Sequence, residues 1–304
     1  MTYKLATHQS GGGPRASMVV NDRVYDVATV TGRPGYVTVL GVLHDWLAAD
    51  ALLRSAADKV DGKGLPVADV KLLAPVLRPG AIYCAGANYT DHALEMSKLH
   101  NRPIEPDPHT QGLKPWHFVK VSHAVSAPGD TINISKYSKM MDWEVELAAV
   151  IGKPAKDVSI EKALDYVAGY TIANDLSARD MGRRPHISDT SPFKADWVAH
   201  KSFDGSCPMG PWITPAADIG DPHNLGMKLW VNDVIKQDSN SGQMIFNINE
   251  QLSHISSRIT LYPGDVILTG TPAGVGAARK EFLKAGDTVK LWIDKIGTLT
   301  NKMA

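Results

Sequence analysis

Two glutamates separated by a single residue, Glu144 and Glu146, stand in the segment DWEVELAAVIGK. In a strand, alternate side chains share a face, so both carboxylates would project to one side with Val145 and Leu147 opposite. Two carboxylates that close repel unless a cation lies between them. A bare Glu-x-Glu is most often an exposed strand face. Here the residues that follow, LAAVIG, are apolar on both faces, which predicts a buried strand. Burying two unpaired carboxylates would be very costly. A third carboxylate, Asp175, closes the predicted strand YTIAND, where a strand end opens into a loop. Alone it reads more often as a cap for the residues after it. Together the three form an all-oxygen set that suits Mg²⁺ or Mn²⁺, leaves Ca²⁺ open and disfavours Zn²⁺. Because the three repel one another, removing one of them is expected to cost little stability.

A second pair, His92 and Glu95, has the i,i+3 spacing that places both on one face of a helix. A carboxylate that holds one imidazole nitrogen raises the basicity of the other, which is how a general base is built. The same spacing is common on solvated helix surfaces. Lys201, in HKSFD, lies between apolar and Pro/Gly-rich stretches and could steady a developing oxyanion. A solvated lysine is the bland alternative. The loop TGTPAGVG at 269–276 has neither the Lys-Ser/Thr ending of a phosphate-binding loop nor a GxGxxG pattern. It reads as a tight turn offering N–H groups and a Thr hydroxyl to an anionic ligand.

Several elements must position these groups. Residues 15–28 read as a hairpin turning at Asn21-Asp22, and KLWVNDVIKQ as a second one turning at Asn232-Asp233. Val42, Trp46, Ala49, Leu53, Ala56 and Val60 make one apolar helical face. YTDHALEMSKL reads as a helix with Thr90 or Asp91 as its cap, and SIEKALDYVAG as a helix capped by Ser159. Residues 247–259 read as a fourth helix, opened by a capping box of Asn247 and Glu250. AIYCAG, YPGDVILTG and GDTVKLWI read as strands, and HNRPIEPDPHTQG as a long surface loop. Strands outnumber helices without alternating with them, which predicts an α+β, mostly β chain. The breaker-rich DGKGLP at 61–66 suggests a small N-terminal unit over residues 1–70 and a larger unit over 71–304.

The composition narrows the function. Thirty-two basic and 32 acidic residues leave no net charge, which argues against nucleic acid and against an anionic membrane surface as partners. No apolar run reaches the length of a membrane span, and the first residues lack the apolar core of a secretion signal. Cys84 and Cys207 cannot form a disulfide framework or a CxxC motif, so buried thiols and a cytoplasmic setting are expected.

Six motifs stand in one order: GANYTDHALEM at 86–96, DWEVELAAVIGK at 142–153, GYTIANDLSARD at 169–180, HKSFDGSCPMGPWI at 200–213, PGDVILTGTPAGVG at 263–276 and KAGDTVKLWIDKIGTLTN at 284–301. Across about residues 73–304 the chain thereby resembles the fumarylacetoacetate hydrolase family. The resemblance implies a rolled mixed β-sheet core, the site at its centre and a homodimer. It implies metal ligation by Glu144, Glu146 and Asp175, water activation by His92 with Glu95, and an active-site lysine at Lys201. Arg179 and Thr271 match positions that touch substrate, and Gln243 is a looser candidate. His200, Ser241-Gly242 and Val121 depart from the usual pattern, as does the length of the 100–112 loop. The activity implied is metal-dependent hydrolysis of a C–C bond in a 1,3-diketo acid of acylpyruvate or fumarylpyruvate type, releasing pyruvate and a carboxylic acid. The same metal-enolate site also serves 2-oxo acid decarboxylases, isomerases and dehydratases. A non-catalytic binding protein is the remaining alternative.

Overall fold

The computed structural model describes residues 2–304. Both expected hairpins form. Asn21 and Asp22 take φ of 48° and 58°, and Asn232 and Asp233 take 50° and 63°. These left-handed pairs are what a two-residue hairpin turn requires, and Asn and Asp tolerate them. Most strands join a 12-stranded sheet. Its central order is Lys4–Ser10, Cys207–Pro215, Val167–Asn174, Val145–Ile151, Val266–Leu268, Ile82–Ala85 and His117–Lys120. The Arg23–Asp26 and Gly13–Val20 strands extend it beyond Lys4–Ser10. A five-stranded sheet runs Val234–Asn240, Gly226–Val231, Thr288–Ile293, Gly297–Met303 and Thr131–Ile132. Parallel pairs, such as Val266–Leu268 with Ile82–Ala85, make the large sheet mixed. The architecture is α+β, with more strand than helix.

The strand Val145–Ile151 is buried at all seven positions. Its alternation divides the core. Val145, Leu147, Ala149 and Ile151 pack with Leu229, Leu291 and Leu299 of the five-stranded sheet and with Leu252 and Ile255 of the helix Ile248–Arg258. Ala148 and Val150 pack on the other side, with Val42, Trp46, Ala49 and Leu53. Each large aliphatic side chain buried there contributes about 1.5–3 kcal/mol. Glu146 belongs by parity to this second side.

The helical face is buried from Val42 to Ala56, with Val60 half-buried beyond the helix end, and its helix is two segments, Val39–His44 and Trp46–Ala57. Asp45 breaks it with φ −119° and ψ 32°, and its carboxylate accepts the Tyr36 hydroxyl at 2.5 Å. Residues Ile160–Tyr166 form a 3₁₀ helix rather than an α-helix, and Ser159 flanks it without a side-chain cap bond. Asn247 and Glu250 do form the capping box. Leu65–Pro66, read as linker, pairs with the Arg23–Asp26 strand. The small N-terminal unit is continuous with the large sheet through Leu5 and Ile213.

Candidate active site

Antiparallel register brings the three carboxylates together. Val145 pairs with Asn174, so Glu144 stands opposite Asp175, whose N–H donates to the Glu144 carbonyl at 3.0 Å. Glu144, Glu146 and Asp175 are 5%, 1% and 1% exposed, and each offers an oxygen within 4.8 Å of the others. Three converging hard oxygens fit a divalent cation such as Mg²⁺ or Mn²⁺.

The chain also surrounds the cluster with cations, drawn from remote segments. Lys201 ends the short helix Trp197–Lys201, and its Nζ donates to Glu144 Oε2 at 2.9 Å and Asp175 Oδ2 at 2.7 Å. Lys120, at the end of the His117–Lys120 strand and fully buried, donates to Asp175 Oδ1 at 2.6 Å and to the Leu176 carbonyl at 3.3 Å. Arg179 donates to Glu144 Oε1 and, through Nε, to Asp142 Oδ2 at 2.8 Å. Glu146 Oε2 accepts the Gly270 N–H at 2.7 Å. Burial alone would raise the Glu144 carboxyl, but Lys201 and Arg179 hold it down at about 2. Glu146 makes no ion pair among the described residues, and the Lys201 charge offsets its burial only in part. Burial, and then the charges of Asp175 and Glu144, push it well above the ordinary value. Burial opposes the charge on Lys201, yet the two carboxylates outweigh it and raise its pKa.

The helix Thr90–Leu99 forms where expected, with Tyr89 rather than Thr90 or Asp91 as its N-cap. His92 Nδ1 lies 3.5 Å from Glu95 Oε2, and the imidazole is within electrostatic reach of Glu144. Both Glu95 oxygens accept the Gly274 N–H, at 3.0 and 2.9 Å. Burial raises the Glu95 carboxyl, but His92 and this N–H outweigh it and bring it below the usual value.

The glycine-rich loop therefore cradles the chain's own carboxylates, where the sequence suggested an anionic ligand. Gly270 N–H serves Glu146, Gly274 N–H serves Glu95, and the Gly276 and Ala277 N–H groups serve Asp142. Gly274 has φ +103°, and a Cβ there would lie 2.1 Å from the Lys236 carbonyl oxygen. The Thr271 hydroxyl donates to the Val145 carbonyl at 3.0 Å and accepts from Gln237 at 2.9 Å. Gln243 is exposed on the turn Ser241–Gln243, and the next residue, Met244, bridges to Tyr89 beside the His92 helix.

Lys120, Asp142, Gln237 and Asn88 escaped the sequence reading. Gln237 also accepts the Val145 N–H, and Asn88 bonds Phe246 and Thr269 at the foot of the His92 helix. In WHFVK the alternation of Trp116, Phe118 and Lys120 was the available signal, because it sends Lys120 to the same face as two aromatic rings. Phe118 does lie against Lys201, with Nζ 5.1 Å from the ring centroid.

Known proteins share this arrangement of chain. An oxaloacetate tautomerase of Xenopus laevis named fahd2, mitochondrial, is 40% identical over 256 residues, covering 83% of this chain and 75% of the relative. The human oxaloacetate tautomerase FAHD2A, mitochondrial, is 40% identical over 241 residues, covering 79% and 71%. The structure of maleylpyruvate hydrolase from Sphingobium sp. SYK-6, in complex with manganese(II) and pyruvate, superposes with a TM-score of 0.75 at 29% identity, covering 99% of this chain and 98% of that one. The fumarylacetoacetate hydrolase of Exiguobacterium antarcticum gives 0.78 at 30% identity, covering 99% of both. The family model for the fumarylacetoacetate (FAA) hydrolase C-terminal region matches residues 81–304. With the motifs, the fold and the buried acidic cluster in agreement, the chain belongs to the fumarylacetoacetate hydrolase family.

Proposed function

We propose that the chain is an isomerase that interconverts the keto and enol forms of a small 2-oxo acid of oxaloacetate type, using a divalent cation at Glu144, Glu146 and Asp175. The observation that carries this reading is the complete site in a chain 40% identical to oxaloacetate tautomerases over about four-fifths of its length. The manganese and pyruvate bound in the maleylpyruvate hydrolase support a 2-oxo acid at the cation. Mg²⁺ or Mn²⁺ there would supply a Lewis acid that polarises the 2-oxo group. Lys201 would donate to the oxygen at C2 as charge gathers on it. His92, steadied by Glu95, would take a proton from C3, and a proton returned to that oxygen completes the enol with no atom lost. Arg179, Thr271 and Gln243 remain candidates for substrate contact. A non-catalytic role is disfavoured because His92, Glu95, Glu144, Glu146, Asp175 and Lys201 are all present.

Hydrolysis of an acylpyruvate or fumarylpyruvate is the second reading, favoured by the likeness to maleylpyruvate hydrolase over nearly the whole chain. There His92 would activate water instead. One experiment separates the two. Enol-oxaloacetate and a set of acylpyruvates are followed by the ultraviolet absorbance of the enol, with pyruvate and acid release assayed in parallel. Enzyme-dependent loss of the oxaloacetate enol without product release is expected. Release of a carboxylic acid at a comparable rate would replace tautomerisation by hydrolysis. The homodimer and the cytoplasmic setting stay part of the proposal. Both cysteines are buried and unpaired, although the vertebrate relatives are named mitochondrial. Sedimentation as a monomer would remove the dimer.

A further inference from the structure

We propose that Lys120, Arg179 and the Gly270 N–H form an outer ring that holds each site carboxylate by one oxygen, so that the cluster selects Mg²⁺ or Mn²⁺ over Ca²⁺. This rests on the reading that the cluster holds a divalent cation. The pattern repeats at all three side chains. Glu144 gives Oε1 to Arg179, Asp175 gives Oδ1 to Lys120, and Glu146 gives Oε2 to the Gly270 N–H. The other oxygens of Glu144 and Asp175 turn inward and meet at Lys201 Nζ. Each carboxylate is thereby presented as a one-oxygen ligand. Three single oxygens suit a small octahedral cation that keeps waters or substrate in its remaining positions. Ca²⁺ takes six to eight oxygens at longer distance and commonly draws on carboxylates through both oxygens. Two-oxygen binding would turn the outer oxygen toward the cation and away from its outer donor, and at Glu144 and Asp175 it would bring the cation nearer a fixed positive charge.

Lys120 is the strongest member of the ring. It is fully buried, and the Leu176 carbonyl fixes the ammonium from a second side. No direct contact with substrate is assigned to it. It is a positioning residue that acts through Asp175.

The test is calorimetric titration of the purified full chain with Mn²⁺, Mg²⁺ and Ca²⁺ alone, without substrate. Wild type is expected to bind Mn²⁺ at least roughly tenfold more tightly than Ca²⁺. Lys120→Met is expected to narrow that ratio by roughly tenfold, and Lys120→Arg to restore much of it. Should Lys120→Met not fold, Arg179→Met frees Glu144 Oε1 in the same way from a less buried position, and the same narrowing is expected. Equal wild-type affinity for Ca²⁺ and Mn²⁺, or variants that lose all three metals in proportion, would overturn the selectivity device. Failure of the cation reading itself is a different outcome, the absence of any metal binding by wild type.

Discussion

The strand Val145–Ile151 and the helix Thr90–Leu99 carry the two halves of the candidate site, and they are held in opposite ways. The strand is buried at every residue and pairs on both sides, with Val167–Asn174 and with Val266–Leu268. The helix has no fully buried residue. It is tied by a few polar contacts, Glu95 to the Gly274 N–H, Asp91 to Ser239, and Asn88 at its foot. Binding a cation needs ligands fixed to a fraction of an ångström, which a packed strand provides. Moving a proton on a substrate needs a group that lets the substrate in. The triad is at most 5% exposed, whereas the helix is the more weakly anchored of the two elements.

The comparison predicts its largest effect in the rigid half. The sequence suggested that removing one carboxylate would cost little stability. The structure reverses that expectation for Asp175, because Asp175→Ala strips the Lys120 ammonium of its only carboxylate partner among the described residues and leaves it fully buried. A broken buried pair of this kind costs about 3 kcal/mol or more. Asp175→Ala is expected to lose metal binding and to unfold at markedly lower urea. The double variant Lys120→Met with Asp175→Ala should recover much of the stability and none of the metal binding. Denaturation and calorimetry on wild type and the two variants check both halves.

In the looser half, His92→Ala should leave the fold and metal affinity intact while kcat falls by roughly 10²–10⁴-fold with little change in KM. An interaction made only in the transition state gives that split. Retention of most of kcat would assign the proton transfer elsewhere.

How much of this was legible in the sequence follows the same division. Glu144 and Glu146 were legible because strand periodicity and an apolar continuation fix both their shared face and their burial. Both Asn-Asp hairpins and the Asn247–Glu250 capping box were legible because their chemistry is local. Lys120 was not, since its partner lies 55 residues away and only the sheet brings them together. The break at Asp45 depends on Tyr36 from a neighbouring turn, while the apolar stripe runs on without interruption. The purpose of 269–276 was half legible. Its N–H groups do bind anions, but which anions only the fold decides.

Two histidines beside the site set a smaller, global effect. Burial holds His117 down at about 4, and burial with the nearby Lys201 and Arg179 charges holds His200 at about 3. Unfolded, both titrate near 6.5. The unfolded chain therefore binds more protons between those values, and stability must fall as pH drops from about 6.5 toward 4. The stabilisation is fully present above about 6.5. Partial exposure limits it to roughly 2 kcal/mol for each. Urea midpoints at pH 5 and pH 7.5 should differ accordingly, and His117→Gln should flatten the difference.

The smallest effect is expected at the latch between the two halves. Glu95→Gln keeps an oxygen for the Gly274 N–H, so the helix stays tied to the loop that also holds Glu146 and Asp142. What it loses is the negative charge beside His92, which favours the imidazolium formed when the proton is taken. A fall of roughly tenfold in kcat follows, with the melting temperature unchanged. Glu95→Ala removes the acceptor as well, so it should add faster amide exchange across Thr90–Leu99 to the same loss of charge. If Glu95 serves only as a tether, Gln will match wild type in kcat and only Ala will be impaired. If it serves only as the partner of His92, the two variants will exchange at the same rate. Hydrogen exchange and kcat measured on both variants separate the two duties.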